Sequence, residues 1–305
     1  MPKELNPALR HLFQGDELIY CSTNLRAKIA DFDHKDNVIF IHGFTAHGTY
    51  LKTLSSYFGE NGFNCFVFNY NSYRGIQKAA ETLHALIAGL DKLSLVDLGA
   101  RGTIEHRRFD LVCHSMGGLV ARAFTHRHGA CVYVKRIVTL GTPHSGTLGN
   151  SFIVSCFLRW GEFVTESVPG FTEKGCLSAR QLTGNEDRPA LLDRLSENNP
   201  NAQSIPVLSI SGGRRRLQFG KNPLYNAAMN FRLQRLLNPG DNDGLVSETS
   251  SSLSSQLFAG CFSSRRHFRE YPEYLEINHS NLVENYDLSL RIMGWLRNGE
   301  NGLSR

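Results

Sequence analysis

The feature that most constrains this chain is the run Phe109–Leu119, FDLVCHSMGGL. An apolar stretch leads without a linker into His-Ser-Met-Gly-Gly. Met116, Leu119, Val120, Ala123 and Phe124 then recur at i, i+3, i+4, i+7 and i+8. The pattern reads as a buried strand, a sharp turn and a helix with one apolar stripe. Nothing between them could serve as a loop, so the chain must turn at Ser115 itself. A serine on such a turn carries its hydroxyl above the sheet edge, and Gly117 lets the helix pack close. Gly129 reads as the helix stop.

Similar apolar runs recur along the chain. Val38–Ile41, Cys65–Phe68, Arg136–Leu140 and Ile205–Ile210 are rich in Val, Ile and Phe and read as short buried strands. Glu273–Ile277 reads as a further strand, and Leu18–Cys21 with Leu25–Ile29 as an edge hairpin. Ala79, Ala80, Leu83, Leu86, Ile87 and Leu90 keep helical spacing. So do Leu282, Leu290, Ile292, Met293, Trp295 and Leu296. This alternation predicts an α/β fold in one domain over 1–305, with a mostly parallel central sheet and helices on both faces. Residues 147–200 interrupt it. There Phe152, Cys156, Phe157, Trp160, Phe163 and Val164 share an amphipathic face, followed by Gly- and Pro-bearing loop sequence. The stretch reads as an insertion over the sheet, a lid with Phe152 and Trp160 toward substrate, or a dimer contact. The serine cluster Ser247–Ser255 reads as a loop or a helix start.

Composition narrows the classes. A chain of 305 residues that is 41% hydrophobic and 20% charged can bury a core and is not a disordered polymer. No stretch approaches the ~20 apolar residues of a membrane span. The seven cysteines are widely spaced with no CxxC pair, which fits a reducing compartment. No secretory h-region is read near the N-terminus, so the expected location is cytoplasmic. The net charge of +5 mildly favours anionic partners without demanding nucleic acid. There is no P-loop, dinucleotide fingerprint or HExxH site, so neither cofactor nor metal is expected.

A serine hydroxyl is a poor nucleophile at neutral pH; it needs a base, and the base an orienting acid. On a strand–turn–helix of this kind the order is serine, acid, histidine. Of the five histidines after Ser115, His126 and His128 fall on the following helix. His144 reads as packing behind the turn, and His267 sits among Arg265, Arg266 and Arg269. His279 opens the final helical segment, where a loop above the sheet belongs, and is the base of choice. Asp243, in the turn Asn242-Asp243-Gly244, is the acid, with Asp241 the competing choice. An Asx-turn role for Asp243 could coexist with that one. Two backbone N–H groups must meet the developing oxyanion. Met116, after the serine, supplies one and Phe44, after His42-Gly43, the other. Cys113 should point into the sheet core. The basic clusters Arg214–Arg216 and Arg265–Arg269 read as solvated surface.

These residues resemble the serine lipases and esterases of the α/β-hydrolase superfamily. Within it the chain is most similar to bacterial triacylglycerol lipases and the related GPI inositol-deacylase-like hydrolases. HGF (42–44), HSMGG (114–118), GTPHSG (141–146), NDGLVS (242–247) and INHSNL (277–282) carry the resemblance, in the family's order, over about 240 residues. It implies the α/β-hydrolase fold and a Ser115, Asp243, His279 triad. It further implies oxyanion donors at Phe44 and Met116, and a lid within 147–200. The implied substrate is an acyl ester or lipid, through membrane-surface contact in a phospholipase or GPI-type deacylase. A non-catalytic binder on the same fold is the other reading. Three departures bear on this. Cys113 replaces the first glycine of GxSxG and would crowd the turn. Asn281 stands where calcium-binding lipases carry an aspartate, which implies no structural calcium. No signal peptide is seen, unlike in the secreted lipases.

Overall fold

The computed structural model describes residues 16–20, 36–97, 108–127, 129–147, 177–183, 188–218, 221–236, 242–253, 265–268 and 277–299. Among these residues seven strands form one sheet: β1 (Glu17–Tyr20), β2 (Asn37–Ile41), β3 (Asn64–Asn69), β4 (Phe109–His114), β5 (Val134–Leu140), β6 (Val207–Ile210) and β7 (Arg265–Phe268). Their order is β1-β3-β2-β4-β5-β6-β7. Only β1 runs antiparallel, against β3; the other neighbours are parallel. This is the doubly covered α/β sheet that unbroken Val/Ile/Phe runs require, since strands buried on both faces need not alternate with polar residues.

The strand residues nevertheless sort by parity. Ile39, Ile41, Phe66, Phe68, Leu111 and Cys113 enter one core. Val38, Phe40, Cys65, Val67, Val112 and Val138 enter the other. Among the described residues eight helices accompany the sheet: α1 (Lys52–Glu60), α2 (Ile76–Asp97), α3 (Met116–Thr125), α4 (Leu177–Thr183), α5 (Arg188–Ser196), α6 (Pro223–Leu236), α7 (Glu248–Ser251) and α8 (Tyr286–Asn298). The first core is closed by α2, α3 and α5, and the second by α1 and α8. Helix α3 lies so close to β2 that a Cβ on Gly117 would run into the carbonyl oxygen of Ile41. None of the described helices is long and apolar enough to cross a membrane.

Several expectations change. A strand not expected from the sequence, β7, is described at Arg265–Phe268; of the expected strand Glu273–Ile277 only Ile277, outside any strand, lies within the described residues. Edge strand β1 pairs with β3, and Leu25–Ile29, its expected hairpin partner, lies outside the described residues. Part of the supposed loop after residue 165 is helical, as α4 and α5. The final helix is split: a 3-10 turn at Asn281–Val283 precedes α8, whose start Asn285 caps by accepting from Leu288 N–H at 2.8 Å.

Candidate active site

The strand ends place the chemistry. Ser115 follows β4, Gly141 follows β5 and Ser211 follows β6, so three loops leave one carboxyl edge of a parallel sheet, where such folds put their sites. Ser115 N–H donates to Leu140 O at 2.8 Å, and Gly141 N–H donates to Ile210 O at 2.8 Å. These bonds tie the three loop starts together in register.

Ser115 holds φ 54°, ψ −125°, one of two non-glycine residues with positive φ among those described. That conformation is costly for an L-residue and persists only where its surroundings over-determine it. Here they are a strand ending at His114 and a helix starting at Met116. The expected crowding by Cys113 does not prevent the turn. Cys113 stays within β4 with its side chain buried in the first core, where burial pushes its thiol pKa up. Met116 N–H, at the first helical position, has no acceptor within the helix. The His42-Gly43-Phe44 loop abuts the turn: a Cβ on Gly43 would lie 2.8 Å from Ser115 Cβ.

That loop is held by contacts the sequence does not announce. Tyr70 donates its hydroxyl to His42 O at 2.7 Å and its N–H to His42 Nε2 at 3.3 Å. With Nε2 accepting, Nδ1 carries the proton and donates to Gly43 O at 2.9 Å. The two rings stack at 4.3 Å. Phe44 packs edge-on against Tyr73 at 5.4 Å, so its position is set from the side chain while its amide belongs to the loop.

His279 and Asp243 meet directly. His279 Nδ1 lies 2.7 Å from Asp243 Oδ2, and His279 N–H donates to Asp243 O at 2.8 Å. Asp243 Oδ1 accepts from the N–H groups of Leu245 at 3.1 Å and Val246 at 2.8 Å. The Asx turn and the histidine contact therefore coexist on different oxygens. Both side chains are buried. A carboxylate so placed fixes the Nδ1–H tautomer and leaves Nε2 as the proton acceptor. Gly141, with φ 58°, passes underneath: a Cβ there would lie 2.7 Å from Asp243 Oδ2 and 2.8 Å from His279 Nδ1. Only glycine serves both needs, which explains the first residue of GTPHSG.

His114, next to Ser115, places Nε2 2.9 Å from His279 O and its ring 4.7 Å from the His279 ring. Burial first, then the His279 charge, push its pKa down to about 3. It is thus a neutral donor that anchors the backbone of His279. From sequence it opens the HSMGG motif but carries no role of its own, because its contact with His279 O forms only on folding. His144 packs as expected: it is buried, Nε2 lies 3.1 Å from Thr139 Oγ1, and its carbonyl takes Arg122 Nη1–H at 2.9 Å. His267 falls within β7. Phe152, Trp160 and most of the lid region, with the competing Asp241, lie outside the described residues.

Residues 36–222, more than half of the chain, match the PGAP1-like alpha/beta domain family. The chain belongs to this family. The matched range of the PGAP1-like domain includes Ser115, with Asp243 and His279 beyond its end. A stretch of 125 residues, 39% of the chain, is 24% identical to the probable lysophospholipase BODYGUARD 1 of Arabidopsis thaliana. That match spans about a quarter of the curated relative, 26% of its length. Among solved structures, the mature lipase BlEst2 of Bacillus licheniformis superposes with a TM-score of 0.56 at 16% identity, covering 92% of this chain and 97% of that one. A bromoperoxidase from Bacillus anthracis superposes with a TM-score of 0.53 at 14% identity, covering 94% and 98%. At such identities the likeness carries the fold alone, here the α/β-hydrolase fold.

Proposed function

We propose that the protein is a serine ester hydrolase acting on acyl esters of lipids. The observation that carries this is the buried 2.7 Å contact between His279 Nδ1 and Asp243 Oδ2 at the sheet edge where Ser115 is held at positive φ. In this reading His279 Nε2 takes the Ser115 proton as Oγ attacks the ester carbonyl, and Asp243 stabilises the imidazolium. The N–H groups of Met116 and Phe44 receive the oxyanion. His279 then protonates the departing alcohol, and a water activated by the same nitrogen releases the acid from Ser115.

The lipid part rests on family. A PGAP1-like domain and a lysophospholipase relative favour a lipid acyl ester, so a phospholipase or GPI-type deacylase is the second reading. The experiment is hydrolysis of p-nitrophenyl esters from acetate to palmitate, with lysophospholipid beside them and Ser115→Ala as control. Turnover should fall by about 10³-fold or more in the variant. A fluorophosphonate probe should label the parent and not the variant. Equal labelling of both would refute Ser115 as nucleophile. No labelling of either would favour a binding protein on this fold.

A further inference from the structure

Helix α6 turns polar side chains toward the 214–217 loop. Asn230 accepts from Leu217 N–H at 2.8 Å and donates to Leu217 O at 2.8 Å, and Gln234 donates to Arg215 O at 2.8 Å. Met229 is buried beside them. Its outward side is apolar. Leu224, Ala227, Ala228 and Phe231 fall at i, i+3, i+4 and i+7, and all are exposed. Leu224 is 81% exposed, Phe231 64%, and the neighbouring Tyr225 47%. A solvated surface helix keeps its outward side polar. A stripe of this kind marks a surface meant to be covered.

The charge around it says by what. Residues 214–236 contain six basic residues and no acidic one, against a net +5 for the whole chain. Arg214, Arg215 and Arg216, in the loop that α6 holds, are exposed, and so is Lys221 just before the helix. A second copy of this chain docking symmetrically would set one basic patch against another. Leucine and aromatic residues on one stripe, flanked by exposed arginine and lysine, suit a membrane surface with anionic headgroups.

We propose that α6 and the Arg214–Arg216 loop form a docking surface for an anionic lipid bilayer. Leu224, Tyr225 and Phe231 enter the headgroup region, and the basic side chains meet lipid phosphates. The loop joins this surface to the site. Arg214 N–H donates to Ile277 O at 3.1 Å, and Arg216 O accepts from Asn278 Nδ2 at 3.1 Å, two contacts adjoining His279. A Cβ on Gly244, beside Asp243, would lie 3.1 Å from Arg215 O. Docking would therefore seat the loops of the acid and base at the lipid surface. That consequence rests on the esterase reading; the docking itself does not.

The test is co-sedimentation of the full chain, and of Ser115→Ala, with vesicles of equal parts phosphatidylcholine and phosphatidylserine, and with phosphatidylcholine alone. Both proteins should bind the mixed vesicles and bind pure phosphatidylcholine much more weakly. Binding should weaken in about 1 M salt, where the screening length is about 3 Å. Replacing Arg214, Arg215 and Arg216 together by alanine should lower partitioning about fivefold per charge, near a hundredfold in all. Leu224→Ser with Phe231→Ser should lower it about tenfold or more. Because these side chains face outward, the melting temperature should hold. Parent protein that ignores anionic vesicles overturns the proposal, as does binding that survives both sets of substitutions. A parent dimer that the Leu224/Phe231 variant dissolves would assign the stripe to a second copy. A large loss of thermal stability in that variant would assign it to the chain's own interior. Loss of ester turnover in Ser115→Ala with vesicle binding intact separates this proposal from the catalytic one.

Discussion

Asp243 uses both oxygens, and this makes its replacement informative. Asparagine can still accept from Leu245 and Val246 N–H through one oxygen. Its amide nitrogen would then face His279 Nδ1, favouring the wrong tautomer and leaving the imidazolium unpaired. Asp243→Asn should therefore lower kcat by about 10³- to 10⁴-fold with the fold intact, whereas Asp241→Asn should change it little. Ester turnover with circular dichroism as the fold control decides it; equal, mild effects would move the acid elsewhere. His114 acts one step back. His114→Phe keeps a ring beside Tyr50, 5.3 Å away in the parent, but loses the donor to His279 O. One hydrogen bond of about 1 kcal/mol predicts a five- to tenfold loss in kcat. The pH–rate profile should keep its shape, because a group with a pKa near 3 stays neutral throughout the working range. A displaced acid limb would mean that His114 titrates with the reaction.

At the scale of elements, β4 carries one group at odds with its surroundings. Asp110 is fully buried in the strand, opposite Arg136 of β5, with Arg136 Nη1 3.9 Å away. Neither carboxylate oxygen has a hydrogen bond among the described residues. Burial outweighs the nearby Lys135 and Arg136 charges and pushes its pKa up to about 7. The native state thus holds this proton more tightly than the unfolded chain, whose aspartate titrates near 3.9. Asp110's contribution is fully favourable below pH ~4 and is lost as pH rises to about 7. Asp110→Asn should be more stable than the parent at pH 8 by about 2–4 kcal/mol, with the gap closing near pH 4. Urea unfolding of both at the two pH values measures it; a constant gap would mean the carboxyl titrates normally. Element by element, the sequence was legible where burial alone selects residues. Runs such as Val38–Ile41 and Phe109–Cys113 have no other use than a covered sheet. It was illegible where tertiary contacts decide. β7 is Arg-Arg-His-Phe, a strand only because β6 offers an open edge, and α6 presents apolar residues outward, which defeats a reading by periodicity.

Across the whole molecule, the site is assembled from residues 42 to 279, so its parts are useful only if distant segments hold register. The residues proposed to carry the chemistry were legible in the sequence because the motifs are local. The sequence did not show what joins them, because that depends on contacts between segments. Arg122 is one such join. It is buried on α3, seven residues after Ser115, and a lone arginine on an apolar helix reads from sequence as surface. Its Nη1 donates to His144 O at 2.9 Å, and its Nη2 donates to Leu195 O at 2.6 Å and toward Ser196 Oγ at 3.4 Å. It thereby ties the helix behind the Ser115 turn to the GTPHSG loop and to the end of α5. Methionine would keep most of the volume but leave two buried carbonyls without this donor, at about 1–3 kcal/mol each. Arg122→Met should lower the melting temperature by about 5–10 °C. Because His144 N–H also donates to Ser250 O at 2.7 Å, the slackened loop reaches toward the turn after Asp243. The surviving folded fraction at 25 °C should therefore show a lower kcat rather than a higher KM. Differential scanning calorimetry and initial rates on one short-chain ester measure both, and an unchanged melting temperature would mean that the three segments hold without Arg122.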